Sequence, residues 1–62
     1  MELFQRVKMT TDKYEKKGVK KGDVGYILEV YDSNNFEVEF SDINGNTVLL
    51  CSFPRKELEL VE

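Results

Sequence analysis

Five residues in the middle of the chain, Phe36-Glu37-Val38-Glu39-Phe40, alternate apolar and acidic side chains without a break. Successive side chains of a β-strand point to opposite faces, so this run predicts a strand with one face buried and the other wet and charged. It sits at the centre of three β-patterned segments between Lys21 and Leu50, which a Gly22-Asp23-Val24-Gly25 turn opens. The neighbouring segments take their places on either side of it.

A first strand is predicted over Glu2 to Met9, with Leu3, Val7 and Met9 as core candidates. Thr10 to Gly22 reads as a long polar loop carrying Lys13, Lys16, Lys17, Lys20 and Lys21, anchored by Tyr14 and Val19. Further strands are predicted over Val24 to Tyr31, Phe36 to Ser41 and Thr47 to Phe53. Pro54-Arg55-Lys56-Glu57 suits a single 3₁₀ turn, because proline presets φ and lacks the N–H that a strand would use. Leu58 to Val61 alternates again as a short last strand.

Turn chemistry sets an expected register. Ile43-Asn44-Gly45 suits a three-residue hairpin loop with Gly45 left-handed, which places Phe40 opposite Val48 and Val38 opposite Leu50. A similar loop at Ser33-Asn34-Asn35 places Val30 opposite Val38 and Leu28 opposite Phe40. Both pairings imply a core face of Leu28, Val30, Val38, Phe40, Val48 and Leu50. The outer face then carries Glu29, Glu39 and Leu49 in one row, and Tyr31, Glu37 and Cys51 in the next. Glu29 facing Glu39 is a like-charge pair, which costs roughly 0.2 to 1 kcal/mol. Such a face is either a solvated surface with Leu49 and Cys51 covered by the N-terminal segment, or a binding surface with Tyr31 and Leu49 as apolar anchors.

Sixty-two residues make one domain, spanning 1–62, with no room for a large substrate cavity. At 34% charged and 40% hydrophobic, the chain has globular rather than disordered composition. Its longest apolar run, Val48 to Cys51, is far too short to span a bilayer, and the N-terminal residues do not read as a signal peptide. The expected location is cytoplasmic, which a single cysteine fits. The net charge of −3 is unevenly spread. Residues 1–22 carry seven Lys/Arg against three Asp/Glu, and residues 23–62 carry two against nine, so a basic loop sits on an acidic body.

Groups suited to catalysis are scarce. Without histidine, the commonest general base and metal ligand is missing. Cys51 lies in an apolar strand with nothing to lower its pKa, so it reads as a packing residue. The glutamates lie on a flat, wet face that would not tune them for acid/base work. Asp42-Ile43-Asn44-Gly45-Asn46 lacks the spacing and terminal glutamate of a calcium loop, and no helix follows Gly22-Asp23-Val24-Gly25 to make it a phosphate loop. The expectation is a protein without enzymatic activity, catalytic residues, metal or cofactor.

A long first loop, a Gly-Asp turn, a three-stranded meander, a 3₁₀ turn and a short last strand form the order of a small SH3-like barrel. The fold class is therefore all-β, with about five antiparallel strands. Lys21-Gly22-Asp23-Val24-Gly25, Leu28-Glu29-Val30-Tyr31, Phe36-Glu37-Val38-Glu39-Phe40, Gly45-Asn46-Thr47-Val48 and the closing Phe53-Pro54 with Leu58 resemble the bacterial domain-of-unknown-function 4926 family, over about residues 18 to 61. The resemblance implies a compact stand-alone protein with no catalytic residues, of a kind associated with toxin gene neighbourhoods as immunity or antitoxin partners. The chain departs from the family pattern at Tyr26 and in its lysine-rich first loop.

Two functional readings follow. One is an immunity protein, monomeric until it joins a hetero-complex, that binds a basic nuclease-type toxin domain through Glu29, Tyr31, Glu37, Glu39 and Leu49. The other is a KOW- or Tudor-like nucleic-acid-binding module using Lys13, Lys16, Lys17, Lys20 and Lys21, or an accessory subunit of a larger assembly. The acidic body opposes phosphate binding, so affinity for DNA or RNA is expected to be weak and erased by salt. An anisotropy titration at physiological salt checks this: submicromolar, sequence-dependent binding would reverse the ranking.

Overall fold

The computed structural model describes residues 1–61 and is all-β, with five antiparallel strands in one sheet. They are β1 (Arg6–Met9), β2 (Val24–Asp32), β3 (Asn35–Ser41), β4 (Thr47–Pro54) and β5 (Leu58–Leu60), with 3₁₀ turns at Glu15–Lys17 and Arg55–Glu57. The order across the sheet is β4-β3-β2-β1-β5. In a flat sheet this order would hold β4 and β5 roughly 19 Å apart, four strand spacings. Only the three-residue turn Arg55–Glu57 joins them, so the sheet curls toward closure as a small barrel does.

The core gathers on the concave side: Val7, Met9, Val19, Ile27, Phe36, Val38, Phe40, Phe53 and Leu58 are all buried. Val38 and Phe40 lie there as the alternation predicts, while Glu37 and Glu39 point out. Four other expected core residues are not buried: Leu28, Val30, Val48 and Leu50 are all exposed. Val30 keeps the inner side, opposite buried Phe36, and for the other three the cause is register. Near the turn, Ser41 pairs with Thr47, as a three-residue loop requires, and Asp42 and Asn46 close that loop with a backbone hydrogen bond of 2.9 Å. A bulge at Val48 then moves every later pair by one, so Phe40 faces Leu49 and Val38 faces Cys51. The slip turns Leu49, Cys51 and Phe53 inward and puts Leu50 and Ser52 outside. Burying Phe53 in place of Ser52 is the gain that fixes it.

Two irregularities shift β2 in the same way. Asp32 pairs with Asn35 around a tight turn, and extra residues at Tyr31 and Leu28 carry the register to Glu29 opposite Glu37 and Ile27 opposite Val38. Gly25 then lies opposite Phe40. A Cβ there would sit 2.6 Å from the Glu39 carbonyl oxygen and 2.9 Å from the Phe40 ring, so only glycine permits this approach. The first strand is shorter than its alternation suggests. Phe4 is left-handed at φ 66° while its N–H still donates to the Ile27 carbonyl at 2.7 Å, and regular pairing begins only at Arg6. Leu3, an expected core residue, is consequently exposed.

Truncating Phe40 to Ala should cost about 3 to 5 kcal/mol, enough to unfold most of a domain this small, whereas Leu50→Ala should cost less than about 1 kcal/mol. Urea denaturation of the two variants tests the register directly. Equal losses would mean that Leu50, not Leu49, faces the core.

Candidate functional site

The outer face of the sheet is built from cross-strand rows. In one, Arg6, Tyr26, Glu39 and Leu50 lie side by side across β1, β2, β3 and β4. In the next, Glu29 faces Glu37, which faces Ser52. Tyr26 is 51% exposed and Leu50 49%, so aromatic and aliphatic surface lies directly on either side of Glu39. Tyr31, 58% exposed, donates its hydroxyl to Glu37 Oε1 at 2.8 Å, and this bond raises its pKa. Thr47 Oγ1 donates to Glu39 Oε2.

Four of the five expected partner-binding residues therefore share this surface: Glu29, Tyr31, Glu37 and Glu39. The fifth does not. Leu49 turns inward at the bulge and packs against the core, as does Cys51, whose thiol burial pushes up in pKa while Lys17 pulls it down. The facing acidic pair is also not Glu29 with Glu39 but Glu29 with Glu37. Tyr26 and Leu50 take the place of Leu49 as exposed apolar groups, which the bulge-free register hid. Of the ion pairs among the described residues, Lys8–Glu59 and Lys13–Glu57, neither involves Glu29, Glu37 or Glu39.

The lysine loop lies on the opposite side of the sheet. Val19 is fully buried, the Tyr14 ring meets Phe53 edge-on at 4.9 Å, and Gly18, left-handed at φ 96°, sits so close to Val48 that a Cβ would fall 2.7 Å from its Cγ1. The loop thus caps the core from the inner side and holds Lys16, Lys17, Lys20 and Lys21 exposed there. Its clasp is Glu57, a buried carboxylate that enters the sequence reading only as the end of the turn over residues 54–57 and in the count of acidic residues. Tyr14 donates its hydroxyl to Glu57 Oε1, Lys13 Nζ lies 3.1 Å from Oε2, and the Thr10 N–H donates to the Glu57 carbonyl at 3.0 Å. Burial disfavours the Glu57 charge, but the hydrogen bonds from Tyr14 and Lys13 and the charges of Lys13 and Lys56 outweigh it, so its pKa is lowered. Burial first, and then the Glu57 bond, push Tyr14 up to about 12.

Asp32 and Asp42 are engaged locally. Asp32 accepts the Asn34 N–H at 2.7 Å, and Asp42 accepts those of Asn44 and Asn46 at 2.9 Å each, which lowers both pKa values. Among the described residues there is no pocket, no cluster of three potential metal ligands, and no helix long and apolar enough to cross a membrane. The family profile of a domain of unknown function, DUF4926, matches residues 3–60. No curated protein and no solved structure matches the chain.

The clasp makes stability depend on pH at both ends. Glu57, with its folded pKa lowered, contributes fully above its unfolded value of about 4.3 and loses that contribution as pH falls through the folded value. Tyr14, with its folded pKa raised, contributes fully below about 10 and loses it as pH rises through about 12. Glu57→Gln should therefore lower the urea midpoint at neutral pH, and its difference from the parent should shrink below about pH 4. An unchanged midpoint at pH 7 would show that the clasp contributes nothing.

Proposed function

This chain belongs to the DUF4926 family, and we propose that it is a non-enzymatic protein-binding module whose outer sheet face engages a basic partner. Within that reading it serves as an immunity or antitoxin protein in the cytoplasm that binds and neutralises a nuclease-type toxin domain. The observation that carries the proposal is Glu29 directly opposite Glu37, on a face that also exposes Tyr26, Tyr31 and Leu50. A like-charge pair is unfavourable in the free protein, and a cationic partner reverses its sign. Exposed tyrosines next to carboxylates supply the rigid apolar contacts on which interface energy concentrates. Nucleases are basic where they hold phosphates, so an acidic inhibitor gains in encounter rate and selectivity.

The separation of charge supports this over nucleic-acid binding. Lys16, Lys17, Lys20 and Lys21 cluster at one loop while Glu29, Glu37 and Glu39 lie on the other side of the sheet. A nucleic acid held by the loop would gain a few phosphate contacts, with the acidic body nearby opposing each additional one.

The double variant Glu37→Lys, Glu39→Lys tests the reading. Both side chains point outward, so the fold should persist, and a lysine at position 37, opposite Glu29, should even add roughly 0.2 to 1 kcal/mol of stability. Binding to a basic nuclease-type toxin domain should weaken by about 2 to 5 kcal/mol where the charge pairs are buried. Co-expression protection with both proteins decides the matter: a double variant that protects cells as well as the parent would reduce the acidic face to a solvated surface.

A further inference from the structure

The sheet has an open edge beside that face. β4 hydrogen-bonds on one side only, to β3, and no backbone group from Thr47 to Phe53 bonds to any other described residue. Exposed edges are normally blunted by charges or proline, because their unpaired N–H and C=O groups accept another strand. Thr47-Val48-Leu49-Leu50-Cys51-Ser52-Phe53 contains neither, and only the Val48 bulge and Pro54 at its end bound the accessible stretch.

We propose that the β4 edge receives an extended strand from the partner, in which lysine or arginine alternates with neutral residues. This rests on the reading of the outer face given above and specifies how that face is engaged. An added strand would lie roughly 4.8 Å beyond β4. Its outward side chains would flank Leu50 and Ser52, whose neighbours on β3 are Glu39 and Glu37. Long cationic side chains reach across one strand while laying their methylene stems on Leu50. The inward side chains would approach the side that the lysine loop caps, where Gly18 packs against Val48 and Lys16 and Lys17 are exposed, so cations are disfavoured there and neutral residues fit. A second copy of this chain is the weaker occupant. Its own β4 brings no cation anywhere between Thr47 and Phe53, leaving Glu37 and Glu39 uncompensated. Backbone pairing would supply affinity, and the alternating charge would supply register and selectivity.

The probe is an alternating Lys-Thr peptide, followed by fluorescence anisotropy at low salt and by amide exchange of the protein. The expected results are binding that protects β4 amides, and at least about tenfold weaker binding by the fully N-methylated peptide, which keeps every charge but has no backbone donor. Equal binding by the methylated peptide would overturn strand addition while leaving the acidic face as the attracting surface. Unchanged binding to the double variant Glu37→Lys, Glu39→Lys would instead remove the face and the basic character of the strand together. Protection of β4 in the free protein, with sedimentation mass rising with concentration, would assign the edge to a second copy. No binding at millimolar peptide would refute the proposal outright.

Discussion

Phe53 is the contact on which the rest of the molecule is hung. Its ring is fully buried, edge-on to Phe40 at 5.5 Å on one side and to Tyr14 at 4.9 Å on the other. Edge-to-face pairs of this kind contribute roughly 0.5 to 1.5 kcal/mol each beyond their buried area. One side chain thereby joins β4 to β3 and both to the first loop. The Tyr14 hydroxyl carries the connection onward to Glu57 in the turn that leads into β5. A chain this short has no second core to fall back on, so sheet curvature, loop position and closing turn are settled by the same few rings.

That arrangement decides which surface is left for function. With the first loop folded over the inner side, five lysines are drawn there, and Lys13 is tied to Glu57. The outer side is left with Glu29, Glu37 and Glu39 and with apolar groups the core does not need. The sheet separates most of this charge: the lysine loop lies on the inner side, and Glu29, Glu37 and Glu39 lie on the outer, where Arg6 is a cationic neighbour in the row of Glu39.

Period-two alternation made β3 legible to within a residue, together with the buried Val38 and Phe40 and the outward Glu37 and Glu39. The number and order of strands, the left-handed Gly45 and the two loop anchors were legible for the same reason, since each rests on local chemistry. Register was not. The loop correctly pairs Ser41 with Thr47, yet the bulge at Val48 is selected by what Phe53 gains seven residues past Asn46, and alternation cannot anticipate an extra residue. In β4 every residue from Val48 to Cys51 is apolar, so either face could have been the inner one. Leu49 was lost from the site and Leu50 was missed through that ambiguity, and Tyr26 was missed through the extra residue at Leu28 in β2. Glu57 was hidden by a different one: a carboxylate between Lys56 and Leu58 gives no sign that a tyrosine forty-three residues earlier will reach it.

The surface is not the one that stability alone would select. A domain of this size has net stability on the order of 5 kcal/mol. Against it stand the Glu29–Glu37 pair at roughly 0.2 to 1 kcal/mol and a left-handed Phe4 at about 1 to 3 kcal/mol. Phe4 is also 70% exposed, so no burial offsets its backbone. Its N–H holds β2 at the Ile27 carbonyl, one residue from exposed Tyr26 and at the start of the irregular stretch that turns Glu29 outward. Both costs thus fall on β2, one at the Ile27 carbonyl and the other at Glu29. Under the proposed function, a cationic partner would offset the like-charge part of that cost in the complex.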